Sequence, residues 1–225
     1  MQLEKRSLWS KVSLTLLGVV GALALVSGGC GDELEPTNPT DAYLMFRNAL
    51  FQGDAETVWR RTDEQTHKYF QERYKQLVEM DSMIRRYLPQ TDHKIARKQS
   101  GTVLLDDVDN GKELFMHVFD GESVPADEAI EVGSRVDETR VGEKEKFARV
   151  ITRAGQEYVL ERDPETEEWH VMLVKSSDAV DKSFGWLDFN QNALQKTVEE
   201  LIAEEREERE KVIAELMGYD DDEKK

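Results

Sequence analysis

From Tyr43 to Leu88 apolar side chains recur three and four positions apart, the spacing of helices that bury one face. The pattern predicts three of them. Thr40 or Asp41 caps the first, which carries Tyr43, Leu44, Phe46, Leu50 and Phe51 and ends at Gly53, a residue that accepts a left-handed cap at low cost. Asp54 caps a short second helix bearing Val58 and Trp59. Thr62 and Gln65 have capping-box spacing for a third, whose stripe runs through Tyr69, Phe70, Leu77, Met80 and Ile84 to Leu88 before Pro89 stops it.

After Gly101 the period reads as two. Strands are predicted at Thr102–Leu105, Glu113–Phe119, Ile130–Val141, Lys146–Thr152, Gln156–Arg162 and Trp169–Val174. Asn110-Gly111 reads as a hairpin turn, and Ala154-Gly155 and Asp163-Pro164-Glu165 as further turns. Strands joined by short turns give an antiparallel sheet. The expected fold is therefore α+β: N-terminal helices packed on a curved antiparallel sheet, with helices on one face and the C-terminal segment on the other.

Residues 176–189 read as a connector, and Asn190 to Met217 as a charged, amphipathic helix. One apolar stripe is Leu194, Val198, Leu201 and Ile202; a second is Val212, Ile213, Leu216 and Met217. The first is expected to pack on the domain. The second is expected to pack either on an envelope protein partner or elsewhere on this chain. Residues 218–225 form an acidic tail.

Charge narrows the partners. With 30 Lys+Arg against 47 Asp+Glu the net charge is −17, which repels nucleic-acid phosphates, so no nucleic-acid partner is expected. Cys30 is the single cysteine, so no internal disulfide and no multi-cysteine zinc site can form.

The N-terminus explains that cysteine. Lys5, Arg6 and Lys11 precede an apolar run from Val12 to Val26, too short to span a bilayer, and Ser27, Gly28, Gly29 and Cys30 follow. This segment resembles a bacterial lipoprotein signal, with Ser27 where a Leu is usual. The resemblance implies that residues 1–29 are removed, that Cys30 becomes the lipid-bearing first residue, and that the membrane is reached through that lipid. Gly31, in place of the Asp that holds such proteins at the inner membrane, implies the outer membrane, facing the periplasm. Residues 30–40, with Pro36 and Pro39, read as the tether.

A second resemblance lies in the body of the chain, 41–175. Ala42 to Val58, with Phe46, Ala49, Leu50, Gly53, Asp54 and Ala55, looks like the opening of nuclear transport factor 2-like (cystatin-like) lipoprotein domains. Trp169-His170-Val171 looks like the ending of that superfamily. The resemblance implies a cone of helices on a bent sheet that can enclose a pocket. Its members include isomerases, dehydratases and noncatalytic proteins, so the fold does not choose among them.

Trp59, His117, Trp169 and His170 are the pocket candidates. His67 and His93 read as exposed. Acid–base chemistry would require His117 or His170 beside a carboxylate, and Glu113 and Asp120 are close in sequence to His117. Asp106-Asp107-Val108-Asp109-Asn110-Gly111 fails as an EF-hand loop because Val108 occupies a ligand position. No catalytic, phosphate-loop or metal motif is present, and no cofactor is expected. The expectation is an exported, lipid-anchored ligand-binding or assembly module. The alternatives are an acid–base enzyme using the cone, or a structural subunit that binds a partner through the C-terminal helix.

Overall fold

The computed structural model describes residues 36–119 and 127–217. The signal segment, Cys30, the first part of the tether, Asp120 and the acidic tail lie outside the described residues.

Helix α1 (Pro39–Gln52) starts two or three residues earlier than the spacing suggests. Asn38 is its cap, its side-chain oxygen accepting from the Thr40 amide at 2.8 Å, and Pro39 takes the first helical position, where its missing N–H costs nothing. Gly53 closes the helix at φ 68°. The residues read as the end of a tether are therefore held, and the Pro36 carbonyl accepts from the Trp169 amide at 2.6 Å.

Asp54 caps α2 (Ala55–Arg60) as expected. Asp63, not Thr62, caps α3 (Glu64–Tyr87), because Thr62 is drawn to the sheet, bridging to Val171. Helix α4 (His93–Ser100) and a 3-10 turn (Thr102–Asp106) follow, so the strand expected at Thr102–Leu105 does not form.

Nor does the strand at Glu113–Phe119, which is helix α5 (Gly111–Phe119). Asn110 is a helix cap here rather than a hairpin residue: its Oδ1 accepts from the Glu113 amide at 2.9 Å, and the Glu113 carboxylate accepts from the Asp109 amide at 2.7 Å. Leu114 and Phe115 share a face with Val118 and Phe119 only at helical spacing. Phe115 thereby reaches the rings of Phe70 and Trp59, each at 5.0 Å, and Phe119 at 4.3 Å. Gly111 is required by the packing, since a Cβ there would stand 2.5 Å from the Gln71 backbone nitrogen.

The run expected as one strand from Ile130 divides into α6 (Glu128–Gly133) and β1 (Val136–Val141). Strands β2 (Phe147–Thr152), β3 (Glu157–Arg162) and β4 (Trp169–Val171) complete an antiparallel meander in the order β1-β2-β3-β4. The last strand stops at Val171 because Leu173–Ser176 winds into the short helix α7, held by Ser176 Oγ accepting from the Val159 amide at 2.9 Å.

The fold class is α+β. Facing pairs Ala148–Leu160 and Leu160–Val171 put one sheet face into the core, against α1, where the Tyr43 and Tyr158 rings lie 4.9 Å apart. The opposite face carries the ion pairs Arg149–Glu157 (3.0 Å) and Lys146–Glu161 (3.3 Å).

Helix α8 (Asp178–Met217) absorbs most of the expected connector and continues for 40 residues. It packs on α3 through Phe184, which touches Phe70 at 5.5 Å, rather than on the sheet.

Candidate functional site

The four pocket candidates do not converge. Trp169 is a core residue, 3% exposed. His170, next to it on β4, points the opposite way, as alternation along a strand requires. His117 is exposed on α5. Trp59 is half-buried and stacks on His67 with ring centres 3.9 Å apart.

His67 and His93 are both half-buried and bonded, contrary to their expected exposure. His67 Nε2 donates to the Trp59 carbonyl at 3.0 Å, and His93 Nε2 to the Leu88 carbonyl at 2.9 Å. Each closes a helix end, which accounts for the ring without chemistry.

His170 is half-buried on the face of β4 that turns away from the core. Burial pushes its pKa down, the Arg61 guanidinium pushes it further, and Glu168 and Asp163 oppose them. Arg61 holds Glu168 at 3.1 Å. Asp63, 4% exposed, accepts from the Thr66 amide and hydroxyl through Oδ1. Arg61 Nε, Asp63 Oδ2 and His170 Nδ1 are buried without a hydrogen-bond partner among the described residues. His170 Nδ1 has no hydrogen-bond partner, a carboxylate included, among the described residues, so the acid–base pair expected for catalysis is not assembled there.

Two surface grooves lie on the helical side. One, about 400 Å³, is lined by Trp59, Glu64, His67, Lys68, Gln71, Asn110 and Lys112. The other, about 480 Å³, lies between α3 and α8. There Arg73 meets Asp188 at 2.6 Å, and Gln76 meets Gln191 at 2.6 Å. Neither groove enters the space between sheet and helices, where Tyr43, Phe46, Val150, Leu160 and Val171 are 1% exposed or less. Among the described residues no group of three or more His, Cys, Asp or Glu side chains is placed to hold a metal ion. No described helix is long and apolar enough to cross a membrane.

The third feature is the end of α8. Val180, Phe184, Leu187 and Val198 are buried. Beyond Val198 the helix continues, and its apolar side chains turn outward: Ile202 is 39% exposed, Ile213 51%, Leu216 82%. At about 100° per residue, Ile202, Ile213 and Leu216 fall on the side of the helix that Phe184 and Val198 bury. Arg206 and Arg209 interrupt that side between Ile202 and Ile213, and beyond Val198 its apolar side chains are left uncovered. The second apolar stripe thus does not dock on the described part of its own chain.

No family model matches the chain, and comparison with curated proteins and with solved structures gives no significant match.

Proposed function

We propose that this chain is an exported envelope lipoprotein, anchored through a lipid on Cys30, whose folded part is a noncatalytic assembly module. The segment from Lys5 to Cys30 supports the anchor, and α8 supports the module. The observation that carries the reading is the uncovered apolar stripe from Ile202 to Leu216. A soluble chain keeps such a stripe in water only at a cost, and an exposed apolar helix face is what a partner covers.

The finer fold reading belongs with this proposal. Helices followed by a four-stranded meander, with α1 lying against the buried face of β2 and β3, support a cystatin-like arrangement. The space between α1 and the sheet is filled by Tyr43, Phe46 and Tyr158. That filling supports assembly over small-ligand binding.

The anchor is tested by metabolic labelling with a radiolabelled fatty acid and by membrane fractionation. Lipid incorporation and membrane retention are expected in the natural chain, and both are lost in Cys30→Ser. A mature N-terminus at another residue defeats the anchor. The module is tested by removing Glu204 to Lys225: the detergent-solubilised species is expected to shrink by more than the deleted mass. Shrinkage by that mass alone defeats it.

A further inference from the structure

Asn110-Gly111 is the only Asn-Gly pair in the chain. Such a pair is open to attack by the backbone on its own side chain, because glycine has no Cβ to hinder the ring that forms. The reaction needs only water and base. The Gly111 nitrogen gives up its proton and bonds to Asn110 Cγ, the Cγ–Nδ2 bond breaks, and ammonia leaves with a proton from water. Water then opens the cyclic imide at one carbonyl or the other, leaving aspartate or isoaspartate at position 110. Nothing is oxidised or reduced.

The fold holds both reacting groups. The Gly111 N–H donates to Gln71 Oε1 on α3 at 3.1 Å. Asn110 Oδ1 accepts from the Glu113 amide at 2.9 Å, and its Nδ2 donates to Glu113 Oε1 at 2.9 Å. Glu113 is fixed in turn by the Asp109 amide, which donates to its Oε2 at 2.7 Å. Gly111 itself is buried. The Glu113 carboxylate beside the pair also opposes the negative charge that the Gly111 nitrogen takes on when it loses its proton.

We infer that Asn110 is a deamidation site kept shut by the seating of α5 on α3, with Gln71 as the latch, and that its reaction releases α5 irreversibly. While Gln71 holds the Gly111 N–H, the nitrogen is not free to turn on Asn110 Cγ, so α5 must lift first. After the reaction the seat is lost. Aspartate at 110 sets a carboxylate where Nδ2 now meets Glu113 Oε1, and the like charges repel. Isoaspartate carries the chain through Cβ and adds a methylene just before Gly111, where an added Cβ already stands 2.5 Å from the Gln71 nitrogen. Leu114 and Phe115, both fully buried, then leave the core with α5, and Phe115 loses its ring contacts with Phe70 and Trp59.

The test follows conversion of the natural full chain at mildly alkaline pH by peptide mapping, which reads the mass change from amide to acid at Asn110 and separates isoaspartate by elution. The folded chain is expected to convert at least about tenfold more slowly than the same chain unfolded in urea, the factor of one hydrogen bond. Equal rates overturn the inference. Gln71→Leu removes the acceptor of the Gly111 N–H and is expected to speed conversion of the folded chain about tenfold, whereas Gln71→Glu keeps an acceptor there and stays slow. A folded Gln71→Leu chain that converts at the natural rate overturns the latch. Amide exchange gives a readout without substitution. Across low urea concentrations, exchange at Gly111 and conversion at Asn110 are expected to rise together, since one opening of α5 exposes both. Exchange that rises while conversion stays flat overturns the inference. In converted protein separated by charge, the Leu114 and Phe115 amides are expected to exchange faster than in unconverted protein, and equal protection overturns the release of α5.

Discussion

Arg73 on α3 and Asp188 on α8 meet at 2.6 Å, and the two helices run parallel from that contact. The same step joins Gln76 to Gln191 at 2.6 Å and Tyr69 to Phe184 with ring centres 6.0 Å apart. At that offset of 115 positions the last residue of α3, Tyr87, corresponds to Ile202, where the apolar side chains of α8 become exposed. Helix α8 is thus a core helix for half its length and an unsupported one for the rest, set by the shorter length of its neighbour.

Asp188→Ala removes the carboxylate that holds both Arg73 and Gln76. Asp188 is half exposed, so the loss is modest, about 1 kcal/mol in urea unfolding. Limited proteolysis is expected to cut near Asp188 sooner in the variant. Unchanged cleavage and stability show that apolar packing at Phe184 and Leu187 aligns the helices alone.

Gly111→Ala tests the approach of α5 to α3. The added methyl would stand 2.5 Å from the Gln71 nitrogen and 2.6 Å from its Cα, and backbone does not yield as a flexible side chain does. The expected loss is about 2–3 kcal/mol in chemical denaturation, in the range of an overpacked core. A variant of natural stability means that α5 sits further from α3 than these distances.

How legible was this in the sequence? The stripes of α1 and α3 were, because each apolar residue falls on one helical face and a proline or glycine marks the end. The hairpin of β2 and β3 was also legible, through Gly155 at φ 78° between alternating runs. Helix α5 was not. Asn-Gly serves a hairpin turn and a helix start equally well, and only the reciprocal bond between Asn110 and Glu113, a three-residue spacing, separates the two. The first half of α8 was hidden by Gly185, which lowers helix propensity yet costs little where Phe184 and Leu187 anchor both sides. Of the four pocket candidates, alternation placed Trp169 and His170 on opposite faces of β4, but the filling of the interior by Tyr43 and Phe46 follows from tertiary packing. Two apolar stripes on the C-terminal helix were visible in the sequence. Which one is covered depends on where α3 ends, a relation between distant segments.

Asp81 holds three elements together. It is 9% exposed and accepts from Arg85 at 2.5 Å on its own helix and from Arg97 at 2.6 Å on α4, while Arg97 also donates to Asp106 at 2.7 Å. Burial raises the carboxyl pKa, but the hydrogen bonds from Arg85 and Arg97 outweigh it, and the net direction is down. A depressed folded value means the stabilisation is present above the ordinary carboxylate range and is lost as pH falls through the folded value. Asp81→Asn is expected to cost about 1–2 kcal/mol at neutral pH, since it weakens the charge-assisted bonds from Arg85 and Arg97 while Arg97 keeps Asp106 as its counter-charge. It should also flatten the acid limb of the stability profile. An equal loss at pH 7 and at the acid end of that limb contradicts the assignment.

His170 predicts a second, milder pH effect. Arg61, Glu168 and Asp163 are the charged groups that act on it, and burial and Arg61 prevail over the two carboxylates, so its folded pKa lies below the ordinary value of 6.5. The unfolded chain then binds more protons than the folded one between those two values, and stability rises with pH across that window. The natural protein should therefore lose stability as pH falls from 6.5 toward the folded value, well before the carboxylates titrate. His170→Gln keeps a polar side chain without the titration, and its stability should stay level across the window. The comparison is a pair of urea titrations at several pH values. If the natural chain and His170→Gln decline in parallel, the ring is not held against protonation by Arg61 and its burial.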